Sequence, residues 1–183
     1  YLRRVTHPVP FGEFRLVHRE GMDEDMGEIQ FRAPWLPDGY YGLPEKSAEA
    51  FVDGWFNTGD VGRRMPDGGI RILDRIDDTI KSGGEWIPSS VLESVIVDTP
   101  SVANAAVLGK PDDEWGERPV AAVVPTEDAF DERTVYEQLE SAVDEGQIND
   151  WWVPDEVRVV EELPVTSTGK IKKETLRERL EFA

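Results

Sequence analysis

The feature that most limits what this chain can fold into is a change of pattern after Leu73. Before that point, short apolar runs are punctuated by glycine and proline. Residues 14–18 and 29–32 read as strands, with Gly21 and Gly27 marking the turn between them. Residues 44–51 read as a short helix with Pro44 at its start. Residues 54–60 read as an aromatic strand ending in a Thr-Gly-Asp turn, and Pro66-Asp67-Gly68-Gly69 as a turn into an apolar strand over 70–73. After Leu73, strand and helix patterns alternate. Ser90 and Glu93 have capping-box spacing and open a helix carrying Val91, Leu92, Val95 and Ile96. Residues 102–108 and 120–124 read as strands, and Asp131 caps a helix with Val135, Leu139 and Val143 on one stripe. Residues 157–160 form a last strand, and Leu176 and Leu180, four apart, mark a final helix. The expected fold class is therefore α+β: a β-rich segment over 1–73, a charged linker over 74–80, and a compact domain of mixed strands and helices over 81–183.

Composition narrows the chemistry. In 183 residues, 38 Asp and Glu stand against 20 Lys and Arg, a formal charge of −18. Such a charge argues against nucleic acid or an anionic membrane as the main partner. No apolar run approaches the roughly 20 residues of a membrane-spanning helix, and no signal-peptide pattern precedes the first strand-like segment, so a cytoplasmic protein is expected. The chain has no cysteine, which excludes thiol nucleophiles and Cys-based metal sites. Acidic clusters such as Asp23-Glu24-Asp25, Asp112-Asp113-Glu114 and Glu127-Asp128 read as exposed loops, and only six of the basic residues are lysine. Like charges repel over about 10 Å at 0.1 M salt and about 3 Å at 1 M. A salt-rich, halophilic cytosol is the expectation that follows.

Three loops combine flexible small residues with charge. Asn57-Thr58-Gly59-Asp60 places a carboxylate where it could accept hydrogen bonds from a ribose diol, although taken alone such a turn is common and reads first as a plain structural one. The run from Asp74 to Ile87 contains Arg75, a planar fork of donors, and Ser82-Gly83-Gly84-Glu85, which permits close backbone approach; it reads either as an interdomain linker or as a ligand loop. Pro164-Val165-Thr166-Ser167-Thr168-Gly169-Lys170 looks superficially like a phosphate loop. It lacks the upstream glycine of that motif, and Ile171 replaces the hydroxyl residue, so a Walker-type reading is rejected. One lysine on a mobile, hydroxyl-rich loop remains, able to carry a point charge to an anionic centre. His7 and His18 have no ligand-like spacing and read as structural, and no metal cluster or Ser-His-Asp set stands out.

The order of the three loops is more specific than any one of them. W-F-N-T-G-D, then D-R-I-D-D-T-I-K-S-G-G-E-W-I, then P-V-T-S-T-G-K strongly resembles the adenylate-forming enzymes, the superfamily of acyl-CoA synthetases, firefly luciferase and peptide-synthetase adenylation domains. Gly27-Glu28-Ile29, the GYYGLPEK segment over 39–46 and Trp115-Gly116-Glu117-Arg118-Pro119 add to the resemblance. S-G-G-E-W-I and W-W-V-P-D at 151–155 look most like medium- and long-chain fatty acyl-CoA synthetases.

The resemblance implies a mobile C-terminal lid preceded by the β-rich end of a large N-terminal adenylating domain, hence a fragment that is inactive alone. It implies an AMP-forming acid–thiol ligase, using ATP, CoA, a fatty acid or other carboxylic acid, and Mg2+ held mainly by upstream residues; a homodimer of the full-length enzyme is one expected assembly. Residue by residue, Asp60 would bind the ribose hydroxyls, with Arg75 at the same ribose or the phosphates. Lys170 would be catalytic, reaching the carboxylate and α-phosphate. Asp77 matches the hinge of the lid; many relatives carry Lys there. Ser82, Gly83 and Gly84 would shape the CoA tunnel, with Trp115 along the CoA route. Lys81, Glu85 and Trp86 would lie near the adenylate, while Trp151 and Trp152 read as packing. Lys173 stands where Arg is common. Rival expectations are another acid–CoA ligase, a carrier-loading adenylating enzyme, or a stand-alone nucleotide- or CoA-binding module.

Overall fold

The computed structural model describes residues 4–5, 9–127 and 129–182; His7 and Asp128 lie outside the described residues. The chain divides into two compact units, Tyr1–Asp77 and Asp78–Ala183. The division falls inside the charged stretch at 74–80.

The first unit contains β1 (Arg4–Val5), β2 (Glu13–Val17), β3 (Met26–Arg32), α1 (Pro44–Ala50), β4 (Phe51–Val52), β5 (Trp55–Arg64) and β6 (Ile70–Arg75). Its sheet runs β1-β6-β5-β3-β2 with every pair antiparallel, and β4 pairs with β5. Met26, Ile29, Val61, Ile70 and Leu73 are buried against this sheet. Two expectations change here. Gly27 lies within β3, paired with Gly62, and does not mark the turn; Gly21 does, with φ 86°. Thr58-Gly59-Asp60 does not end a strand either: β5 continues for ten residues, to Arg64. On β3, Ile29 alone lies between the pairs Glu28–Val61 and Gln30–Asn57, whereas β5 has three residues there, so the segment is a bulge. The Thr58 hydroxyl stabilises it, donating to the Ile29 carbonyl at 2.8 Å and accepting from the Asp60 N–H at 3.1 Å.

The second unit contains β7 (Ile80–Ser82), β8 (Glu85–Ile87), α2 (Ser89–Val97), β9 (Val102–Asp112), β10 (Gly116–Pro125), α3 (Arg133–Asp144), a 3-10 turn (Asp150–Trp152), β11 (Glu156–Val159) and α4 (Lys173–Arg179). β10 is central. It pairs along its length with antiparallel β9, and its other edge takes parallel β11 at Val120–Val123 and β7 at Gly116. Period-two alternation divides the strand side chains between two cores. Ala105, Val107, Ala121 and Val123 face a cluster with Ile80, Ile87, Leu92, Ile96, Val135, Leu139 and Trp152. Ala106, Leu108, Val120 and Ala122 face the other side, against Leu163, Leu176 and Phe182, with Ile171 packed at its margin.

Two local expectations are also revised in this unit. The charged stretch is not all linker, because residues 80–82 and 85–87 form a β-hairpin. The capping box at Ser90 is not formed: Pro88 is the N-cap of α2. Glu93 is engaged elsewhere, its Oε1 accepting from the Val107 N–H at 3.0 Å and pairing with Lys173 Nζ at 2.6 Å. That contact joins α2 to α4 and occupies an N–H on the edge of β9 that no strand among the described residues pairs. At α3, Glu132 is the N-cap, but Asp131 still serves the helix start by accepting from the Arg133 N–H at 3.0 Å.

Candidate functional site

In the first unit, Asp60 and Arg75 are cross-strand neighbours on β5 and β6. Arg75 Nη1 donates to Asp60 Oδ1 at 2.9 Å and to the Thr58 carbonyl at 2.8 Å. The guanidinium lies over Gly59, where φ is 71° and a Cβ would come within 2.8 Å of Nη2. Glycine is therefore required twice, for the left-handed backbone of the bulge and for the space the guanidinium occupies. The result is a half-exposed carboxylate and cation, side by side at a rigid bulge. Asp77 is exposed in the turn that follows β6.

In the second unit, Gly83 and Gly84 are the two central residues of the β7–β8 hairpin, with φ of 59° and 86° and Ser82 paired to Glu85. Both being positive is what a type I′ hairpin turn needs. Pleat alternation divides the flanking residues. Lys81 and Trp86 are opposite one another, with the ammonium 4.7 Å from the indole ring centre. Ser82 and Glu85 point the other way, where Ser82 is fully buried and a Glu85 oxygen accepts from Trp152 Nε1 at 3.1 Å. The hairpin thus brings Lys81 and Trp86 together and separates Glu85 from them.

Beneath the turn lie two tryptophans. Trp115 and Trp151 meet edge-to-face with ring centres 4.9 Å apart, and a Cβ on Gly83 would lie 3.2 Å from Trp151 and 3.4 Å from Trp115. The Gly83 N–H donates to the Trp115 carbonyl at 2.9 Å. Trp152 is core, as expected, while Trp151 packs beside the core and also supports this turn.

Two residues absent from the expected site hold the hairpin in place. Glu117 Oε2 accepts from the Lys81 N–H at 2.9 Å, and its carboxylate fits only because Gly109, across on β9, has no side chain; a Cβ there would lie 2.7 Å from Glu117 Cδ. Arg118 donates to Asp155 at 2.7 Å, to Ser82 Oγ at 3.2 Å and to the Trp151 carbonyl at 3.1 Å, and it stacks 4.2 Å over the Trp151 ring. One signal points to Arg118 in the sequence: it leads directly into the apolar run at 120–124, where a guanidinium drawn under the surface needs partners.

Lys170 sits on a different turn. Thr166 and Lys170 are joined by an N–H to carbonyl bond of 2.7 Å, Gly169 donates to the Thr166 carbonyl, and Val165 bridges to Ile171. The Thr166 hydroxyl accepts from the Lys170 N–H at 3.1 Å. The segment is therefore a closed turn rather than a loose loop, with the lysine exposed at its end. Ile171 belongs to the α4-side core, whereas the Gly83–Gly84 hairpin packs into the α2/α3-side core. The two turns consequently lie on opposite faces of one sheet. Among the described residues, no group of three or more His, Asp or Glu side chains could hold a metal ion, and no helix is long and apolar enough to cross a membrane.

The first unit thus offers a carboxylate beside a guanidinium, and the second, separately, an exposed lysine and a bare glycine turn. The family described as AMP-binding enzyme C-terminal domain matches residues 91–170. The 3-methylmercaptopropionyl-CoA ligase of Ruegeria lacuscaerulensis is 42% identical over 100% of this chain and 34% of its own length. The long-chain-fatty-acid–CoA ligase of Thermus thermophilus is 39% identical over 94% of this chain and 32% of its own. The o-succinylbenzoate CoA synthetase of Bacillus subtilis, solved with its acyl-adenylate intermediate, superposes with a TM-score of 0.81 at 28% identity, covering 93% of this chain and 34% of that one. The chain spans about a third of the length of these relatives. Residues 91–170 carry the C-terminal domain of AMP-binding enzymes, and along nearly its whole length the chain is similar to members of the adenylate-forming superfamily.

Proposed function

We propose that this chain supplies the C-terminal lid of an AMP-forming acid–CoA ligase, acting on a fatty acid or another carboxylic acid. In the first step a carboxylate oxygen attacks the α-phosphorus of ATP, and pyrophosphate leaves. In the second, the CoA sulfur attacks the acyl carbonyl, and AMP leaves. Asp60 accepts from the ribose hydroxyls and Arg75 lies beside it. The Lys170 ammonium offsets charge as the acyl-adenylate forms, acting as a positioned cation. Lys81 and Trp86 sit beside the adenylate. Asp77 absorbs the backbone rotation between steps, after which the Ser82–Gly84 turn and Trp115 meet the pantetheine arm.

The observation that carries this reading is the placement of the two turns on opposite faces of one sheet. A rigid domain with one tool on each face can serve two successive reactions by turning over, and it cannot present both tools at once. The test is a chimera in which the matching third of the Thermus thermophilus ligase is replaced by this chain. Acyl-CoA, AMP and pyrophosphate should appear with a panel of carboxylic acids; formation of acyl-AMP with no thioester from any thiol substrate would contradict the ligase assignment. Asp77→Pro, which fixes φ at that position, should retain adenylation and lose thioester formation. The acidic surface supports a protein suited to concentrated salt, and its midpoint of denaturation should rise with KCl.

A further inference from the structure

We propose that Arg118 is a positioning residue for thioester formation, holding the Trp151–Trp115 floor under the Gly83–Gly84 turn and so the backbone that meets the pantetheine arm. The inference rests on the ligase reading above. Its side chain is only 12% exposed, so Arg118 does not meet a ligand itself. It acts through what it joins. Its fork spans three segments: Asp155 beyond the 3-10 turn, the carbonyl of Trp151 within it, and Ser82 Oγ at the edge of the hairpin. Its planar face covers the Trp151 ring at 4.2 Å. Trp151 in turn lies against Gly83, and Trp115 completes the floor.

The need for such support follows from the turn. Both glycines are exposed, and a Cβ on Gly84 would meet nothing within 4 Å, so nothing restrains the turn from the solvent side. Order has to come from below. A lysine at position 118 keeps the charge but loses the fork and the stacking plane, and it cannot hold three segments at once.

Arg158 provides a matched control. It is likewise partly buried, donates to Glu156 and to the Leu180 carbonyl, and stacks 4.8 Å over Phe182, on the α4 side of the sheet. In the chimera, Arg118→Lys should slow thioester formation from supplied acyl-AMP by about 10–100-fold, the scale of a misplaced reacting group, with adenylation measured by pyrophosphate exchange retained. In the 183-residue chain, the Gly83 and Gly84 amide resonances should shift or broaden. Arg158→Lys should lower the melting temperature comparably and cause no selective loss of thioester formation. If Arg118→Lys does not fold, Trp151→Phe tests the same floor and should give the same selective loss. Equal loss of both half-reactions, or thioester formation at the unsubstituted rate, overturns the positioning role alone. An unsubstituted chimera that makes no acyl-CoA overturns the ligase reading, and this proposal with it.

Discussion

The two turns of the second unit are built in contrasting ways. The Lys170 turn is closed by its own backbone and the Thr166 hydroxyl, and it presents one long side chain to solvent. The Gly83–Gly84 turn presents no side chain at all and is held from beneath by Trp115, Trp151, Glu117 and Arg118. A turn that delivers a charge needs little around it, because the reach of the lysine stem does the placing. A turn that shapes a passage for a substrate arm works through its backbone, so the fold has to hold that backbone still. Substitutions should therefore act through a single side chain on one face and through supporting packing on the other.

The largest expected effect is Lys170→Ala, which should lower adenylation about 100–1,000-fold, the usual result of removing one charge-stabilising donor. Pyrophosphate exchange in the chimera measures it. Next come the two cores. Leu139→Ala and Leu176→Ala remove fully buried side chains from opposite faces, and each should cost about 2–5 kcal/mol in urea unfolding. Kinetics then sharpens the contrast: Leu139→Ala should impair thioester formation more, and Leu176→Ala adenylation more. A smaller effect is expected for Gly83→Ala. An L-residue at this left-handed position costs about 1–2 kcal/mol, and the new methyl presses on Trp151 at 3.2 Å. Its thioester step should slow while pyrophosphate exchange is kept.

The smallest effect concerns Glu156. A hydrogen bond from Arg158 holds its carboxyl below the ordinary range. The lower folded value means that its contribution to stability is present above the unfolded carboxylate's range, near pH 4.3, and fades as pH falls through the folded value. The pair is partly exposed to water, so Glu156→Gln should flatten the acid arm of the stability profile by under about 1 kcal/mol, measured by thermal melts across pH 3–6.

Much of the architecture was legible from local pattern. Period-two runs gave the strands, and the Val135–Leu139 stripe gave α3, because each side chain reports its own face. What escaped was fixed by partners far along the chain. The Thr58-Gly59-Asp60 run looks like a turn on its own, and only pairing with β3 and β6 on either side turns it into a bulge within a longer strand. The 80–87 hairpin was hidden by charge, since Lys81, Glu85 and the two glycines resemble a linker until Ser82 pairs with Glu85. The capping box is absent because the helix starts at Ser89, directly after Pro88, and Glu93 pairs instead with Lys173, 80 residues onward. Among the site residues, motif order pointed to Asp60, Arg75, Lys81 and Lys170. Glu117 and Arg118 stand in the sequence only as part of the matching 115–119 stretch, because their work is done on Lys81, Ser82 and Trp151, contacts that exist only in the folded chain.

The central claim, one sheet with a separate tool on each face, is tested most directly by supplying acyl-AMP and CoA to the Lys170→Ala chimera and timing the thioester. Thioester formation at the unsubstituted rate, in a protein that no longer adenylates, is the expected result. Loss of both half-reactions in equal measure would show that Lys170 and the glycine turn serve a single step, and would contradict the claim.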